Sequence, residues 1–176
     1  LYVNLYVPST LHWAEKKLTI TQKTAFPKED FTQLTINGNG KFDLKVRVPN
    51  WATKGFIVKI NGKEEKVEAI PGSYLTLNRT WKDGDTVELK MPFQFHLESI
   101  MDQQNIASLF YGPILLVAQE SEPRTEWRKV TFDKNEIGKD ISGDPEKLEF
   151  IIDGITYKPF YDTYNRYSVY LDVTLK

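Results

Sequence analysis

Cysteine is missing from all 176 residues, which excludes disulfides, thiolate metal sites and a cysteine nucleophile and leaves the compartment undecided. Histidine is almost missing: His12 and His96 lie far apart, so a histidine-based zinc site would need carboxylates from elsewhere. Excess charge of one sign is lacking too. The 23 Lys and Arg stand against 24 Asp and Glu, a formal net charge of -1, which offers no field to steer a polyanion or an acidic bilayer; neither nucleic acid nor a membrane is expected as a partner. No apolar run approaches the roughly 20 residues that span a bilayer, and none at the start reads as a secretory h-region. The chain opens at Leu1 inside the apolar alternation LYVNLYV, without an initiator Met, and reads as a piece of a longer polypeptide. G-x-S-x-G, P-loop and G-x-G-x-x-G signatures are absent.

What is present is alternation. Aromatics make up 13% of the chain, with 9 prolines and 10 glycines, a composition that leans toward strands and turns. FDLKVRV sets Phe42, Leu44, Val46 and Val48 on one face and Asp43, Lys45 and Arg47 on the other, the pattern of a half-buried antiparallel strand. Phe56, Val58 and Ile60 alternate into Asn61-Gly62, which predicts a two-residue hairpin. Leu75 and Leu77 lead to a second predicted hairpin turn at Lys82-Asp83-Gly84-Asp85, followed by the stripe Val87, Leu89 and Met91. KKLTITQ, FTQLTING, KLEFIIDGITY and RYSVYLDVTL supply further strands. No window of about 12 residues keeps a stripe of helical period. Short strands with turns at about ten-residue spacing predict an all-β fold, an antiparallel two-sheet β-sandwich of jelly-roll type. The expected organisation is one domain over 1–176: a main sandwich over 1–120, an exposed charged excursion over 121–146 with Trp127, Val130 and Phe132 as a weak strand, and returning strands over 147–176.

Acid-base hydrolysis of glycosides needs two carboxyl groups about 5 to 10 Å apart, so the acidic pairs are the first candidates. Glu64 and Glu65 sit in a Lys-rich hairpin arm, Asp83 and Asp85 flank a turn glycine, and Glu120 and Glu122 border the charged segment. Each pair has a blander explanation, because turn aspartates accept backbone hydrogen bonds and charges discourage pairing at sheet edges. Asp83 to Thr86 lacks the ligand spacing of a calcium loop. His12, His96 and Glu98 read as structural or surface groups. Neither catalytic, cofactor-binding nor metal-binding residues emerge. Sugar-binding surfaces lay aromatic rings against sugar faces, and the candidates for such contact are Trp51, Trp81, Tyr161 and Tyr164. Residues three apart on a strand face opposite ways, so the tyrosines of PFYDTYNRYSVY form a platform only if part of that stretch is loop.

VNLYVPS at 3–9, LKVRVPNWAT at 44–53, PGSYLTLNRTWKDGDTVEL at 71–89 and ASLFYGPILLVAQE at 107–120 together resemble the β-sandwich that follows the catalytic barrel in β-L-arabinofuranosidases of glycoside hydrolase family 127. PFYDTYNRYSVY at 159–170 is similar to a segment near the C-terminus of such proteins, while 121–158 shows little that matches. The resemblance implies an (α/α)6 barrel that carries a cysteine nucleophile, a zinc ion held by further cysteines and a glutamate, and a separate acid-base glutamate. None of these has a counterpart among the positions of this chain. It therefore implies a non-catalytic portion with no cofactor of its own, belonging to an enzyme of plant-polysaccharide breakdown. The partners it implies are the barrel, a second copy in a homodimer, or a plant-derived oligosaccharide. Within YGPILLVAQE, the step Gly112-Pro113 is expected to be a bend or bulge in one continuous strand that changes neighbours.

Overall fold

The computed structural model describes residues 1–176, and strands dominate it; only two single-turn 3-10 segments, Ala14–Lys16 and Phe160–Asp162, are helical. The chain divides into two compact units, Leu1–Pro92 and Phe93–Lys176, each with its own buried cluster.

The first unit holds β1 (Tyr2–Val3), β2 (Ser9–Trp13), β3 (Leu18–Thr24), β4 (Phe31–Asn37), β5 (Gly40–Arg47), β6 (Ile57–Ile60), β7 (Lys63–Glu65), β8 (Tyr74–Trp81) and β9 (Asp85–Lys90). They form two sheets, β1-β5-β8 and β2-β3-β4-β9-β6-β7. Alternation dictates what faces inward: Leu18 and Ile20 of β3, Leu34 and Ile36 of β4, Phe42, Leu44 and Val46 of β5, and Val87 and Leu89 of β9 join one buried cluster drawn from both sheets. Each fully buried aliphatic of this kind contributes about 2 kcal/mol of transfer free energy. The same inward face carries Gln22 and Thr32, whose side chains satisfy each other at 3.0 Å. All pairings in this unit are antiparallel except β1 on β5, which is parallel.

Turn chemistry at Asn61-Gly62 follows the sequence. Both residues have positive φ, 52° and 75°, and Ile60 pairs with Lys63 across them, as a type I′ hairpin requires. Lys82 to Gly84 does something other than expected. It reverses the chain, yet β8 and β9 lie in different sheets, so it is an arch between layers. The link from β4 to β5 is a second arch beside it. Gly38 N–H donates to Asp83 Oδ1 at 2.7 Å, Asp83 N–H to Asn39 Oδ1 at 3.2 Å, and Gly84 N–H to the Ile36 carbonyl at 2.8 Å. Gly38 is obligatory there: its φ is +104°, and a Cβ would stand 2.8 Å from the Lys17 carbonyl oxygen.

The second unit holds β10 (Phe95–Ser99), β11 (Ile106–Tyr111), β12 (Ile114–Gln119), β13 (Arg128–Phe132), β14 (Ser142–Asp144), β15 (Glu149–Ile152), β16 (Ile155–Pro159), β17 (Tyr167–Ser168) and β18 (Leu171–Leu175). These form one curled sheet in the order β13-β18-β11-β12-β16-β15-β14, with β10 also on β11 and β17 also on β12. Its core gathers Leu109, Leu116, Phe132, Phe150, Tyr157 and Leu171 among others. The charged segment after Ser121 is not all excursion: β13 runs parallel to β18 and buries Val130 and Phe132.

Gly112-Pro113 is a correction to the sequence reading. The step is not a bulge in a continuous strand; β11 and β12 fold back on each other with Tyr111 opposite Ile114 and Phe110 opposite Leu115. Gly112 has φ +54° and proline imposes a negative φ on the next position, the sign pattern of a type II′ turn. An apolar run on both sides of the turn hides the reversal, because both strands are buried and neither alternates cleanly.

Gly112 is doubly constrained, since a Cβ there would also stand 2.5 Å from Phe93 Cδ1. Gly112→Ala is expected to destabilise the protein by about 3 kcal/mol, against about 1 kcal/mol for Gly62→Ala, which meets no neighbour within 4 Å. Urea unfolding of the two variants measures the difference as shifts in midpoint.

Candidate functional site

The four aromatic residues picked out by sequence have unlike surroundings. In the first unit, Trp81 is fully buried; its indole N–H donates to the Phe42 carbonyl at 3.1 Å and its ring lies under the Arg79 guanidinium, which leaves no face for a sugar. Trp51 is partly buried against the same core. In the second unit, Tyr161 lies in the 3-10 turn after β16 and Tyr164 in the loop that follows, both exposed. Their phenol rings are not in contact with another aromatic ring.

A built site lies elsewhere in the second unit, between residues 120–129 and 166–172, as an open cleft of about 1110 Å³. Its frame is an ion pair. Glu120 follows β12, and its N–H donates to the Arg166 carbonyl at 2.9 Å. The Glu120 carboxylate is only 6% exposed. Its Oε1 accepts Arg128 Nε at 2.9 Å and the Ser168 hydroxyl at 2.7 Å, and Oε2 accepts the second guanidinium nitrogen of Arg128. Arg124 Nε stands 3.9 Å from the same carboxylate, a charge neighbour beyond hydrogen-bond range. One side chain thus ties the strand end, the charged loop and β17 together.

Over this frame stand two rings, Trp127 and Tyr170, edge to face at 5.8 Å and 76°. Each keeps a large exposed fraction, 51% and 41%. Arg124, Lys129 and Arg166 line the cleft together with Glu122, Glu126 and Asp172, so the signs are balanced once Glu120 is counted with its partner Arg128. Trp127 entered the sequence reading only as part of a weak strand, and Tyr170 only as one of many tyrosines. The cleft joins loops some 40 residues apart in the chain, and no local pattern announces that.

Burial pushes the Glu120 carboxyl up, but the hydrogen bonds from Arg128 and Ser168 and the charges of Arg128 and Arg124 outweigh it and hold the group below the usual carboxylate range. A carboxylate so saturated stays ionised near neutrality and has no proton to donate. The other acidic pairs are also spent on structure. Asp85 accepts Lys82 N–H and Asn61 Nδ2, each at 2.8 Å, Asp83 caps the Gly38 arch, and Glu64 and Glu65 lie in the short strand β7. His12 Nδ1 lies 3.3 Å from Thr19 Oγ1 on the exposed strand β2. His96 stacks on Phe110 at 5.3 Å, with Nε2 3.6 Å from Glu98 Oε1. No three His, Asp or Glu side chains are grouped to hold a metal, and the cysteines of the zinc centre that the resemblance implies have no counterpart here.

Two expectations follow from this frame. Glu120 has a folded pKa depressed below its unfolded value of about 4.3, so its stabilisation is complete above that pH and lost as pH falls through the folded pKa. Glu120→Gln should remove about 3 kcal/mol at neutral pH by leaving Arg128 unpaired, and should flatten the acid limb of a stability-against-pH profile. The Tyr157 hydroxyl is buried in the same unit without a hydrogen-bond partner, and burial raises its pKa. Tyr157→Phe should therefore raise stability by about 1 kcal/mol in thermal melts.

Comparison with known proteins bears on the whole chain. Residues 1–93 match the family model described as the β-L-arabinofuranosidase, GH127 middle domain. No curated protein matches the sequence. Among solved structures, a glycoside hydrolase superposes with a TM-score of 0.75 at 20% identity, covering 98% of this chain and 36% of that one. The GH127 β-L-arabinofuranosidase of Geobacillus stearothermophilus T6 superposes with a TM-score of 0.73 at 21% identity, covering 98% and 33%. A GH127 β-arabinofuranosidase gives 0.69 at 19% identity, covering 98% and 34%. At these identities the superpositions establish shared fold, and the chain spans about a third of the length of the proteins it matches. Because the family match takes in 93 of the 176 residues, the chain belongs to the GH127 β-L-arabinofuranosidase family, by way of its middle domain.

Proposed function

We propose that this chain is the non-catalytic β-sandwich portion of a β-L-arabinofuranosidase-like glycoside hydrolase, and that it braces a helical catalytic barrel, frames part of the active-site rim or mediates dimerisation. The observation that carries this reading is chemical. The buried carboxylate of the cleft, Glu120, is ionised and fully hydrogen-bonded to Arg128 and Ser168, so it can neither protonate a leaving group nor attack an anomeric carbon. Of the other acids paired in sequence, Asp83 and Asp85 hold turns and Glu64 and Glu65 lie in the short strand β7. Recurrence of the fold within proteins about three times as long supports a supporting role for the same reason: such proteins have ample chain in which to house the chemistry.

The purified chain, incubated with an aryl β-L-arabinofuranoside, should release no aryl alcohol above the uncatalysed rate. Added to the separately produced barrel of its parent enzyme, it should raise the barrel's melting temperature or its kcat/KM. Turnover by the isolated chain that Glu120→Gln abolishes would overturn the reading.

A further inference from the structure

The cleft between 120–129 and 166–172 has properties that bracing alone does not call for. Trp127 and Tyr170 are large rings left half in solvent, and exposed aromatic surface of this kind beside an ordered polar frame is the usual mark of a binding surface. Tyr167 adds a third exposed ring at the same cleft. The frame below them is supplied by the chain itself, because Glu120, Arg128 and Ser168 satisfy one another across the two segments that carry the rings. Preformed walls of this sort lower the ordering cost of binding.

Charge selects the ligand class. Glu120 in the cleft wall is already neutralised by Arg128, and apart from that pair three cationic side chains, Arg124, Lys129 and Arg166, line the cleft with three acidic ones, Glu122, Glu126 and Asp172. An anionic ligand would meet as many repulsive as attractive groups, and so would a cation. An uncharged polyol meets neither penalty: each hydroxyl both donates to carboxylates and accepts from guanidinium groups, while the C–H face of its ring covers an aromatic face. We propose that this cleft binds a neutral oligosaccharide, with a sugar ring laid on Trp127 against Tyr170 and its hydroxyl groups bonded by Arg124, Arg166 and Glu126. The rings of this site are not Trp51, Trp81, Tyr161 or Tyr164, the sugar contacts expected from sequence, and only the choice of arabinose-containing probes rests on the glycoside hydrolase reading.

The test uses the whole 176-residue chain and arabinan-derived oligosaccharides, followed by tryptophan fluorescence and isothermal calorimetry. Saturable binding is expected, weakened about tenfold or more by Trp127→Ala and by Tyr170→Ala, and unchanged by Tyr161→Ala, which lies outside the cleft. Thermal melts establish that each variant is folded, and Arg166→Ala, a solvent-side change, provides a second loss of affinity should Trp127→Ala unfold. Absence of binding, binding that the cleft variants leave untouched, or tighter binding of an oligogalacturonate would each overturn the proposal. A concentration-dependent dimer abolished by Trp127→Ala, without any response to sugar, would overturn it in favour of a second copy of the chain. Chromatography of the same mixtures separates the two readings: cleavage products would sink the non-catalytic assignment, whereas intact sugar that fails to bind would sink only the cleft.

Discussion

A strand can turn only every second side chain toward a core, and both units are built around that restriction. In the first unit the inward positions of β3, β4, β5 and β9 are apolar almost without break, and the one polar pair among them, Gln22 with Thr32, is internally satisfied. Shifting any of these strands by one residue would exchange Leu, Ile and Val for Lys, Thr and Asp, so burial itself holds the register. The arches at Gly38 and Asp83 then let the chain pass between sheets at one end, each capping the other's exposed N–H groups.

In the second unit the same restriction leaves a problem at the ends of strands. Residues 120–128 leave the sheet and return to it as β13, and the loop's one large ring, Trp127, is half exposed and does not anchor it in the core. The Glu120–Arg128 pair does so instead, with Ser168 completing the carboxylate's bonds. Buried ion pairs seldom add much net stability, but removing one partner is expensive; their usual benefit is geometric. Here the benefit is a cleft whose rings and charges are held in place while the backbone around them is loop.

That division of labour fits membership of the GH127 family. Chemistry on glycosides asks for carboxyl groups free to exchange protons or attack, whereas this chain has committed its buried acids to hydrogen bonds that keep them ionised and inert. The proposed supporting role asks of such a module that it position, brace or recognise.

Much of the architecture was readable from the residues alone. Alternation in FDLKVRV and its neighbours identified strands and their buried faces, and Asn61-Gly62 identified a hairpin, because period-two burial and positive φ are local requirements written in local residues. Which strands share a sheet was not readable. The turn at Asp83-Gly84 looks the same whether it closes a hairpin or crosses between layers, and Gly112-Pro113 sits in a run too uniformly apolar for alternation to reveal the reversal. Trp81 and Trp127 are equally plain tryptophans in sequence. Only the packing made one a core residue and left the other at the mouth of a cleft, since exposure depends on contacts between segments far apart in the chain. The residues decided which face of each strand is buried; the tertiary structure decided what meets what, because long-range pairing such as Glu120 with Ser168 has no signature within either segment.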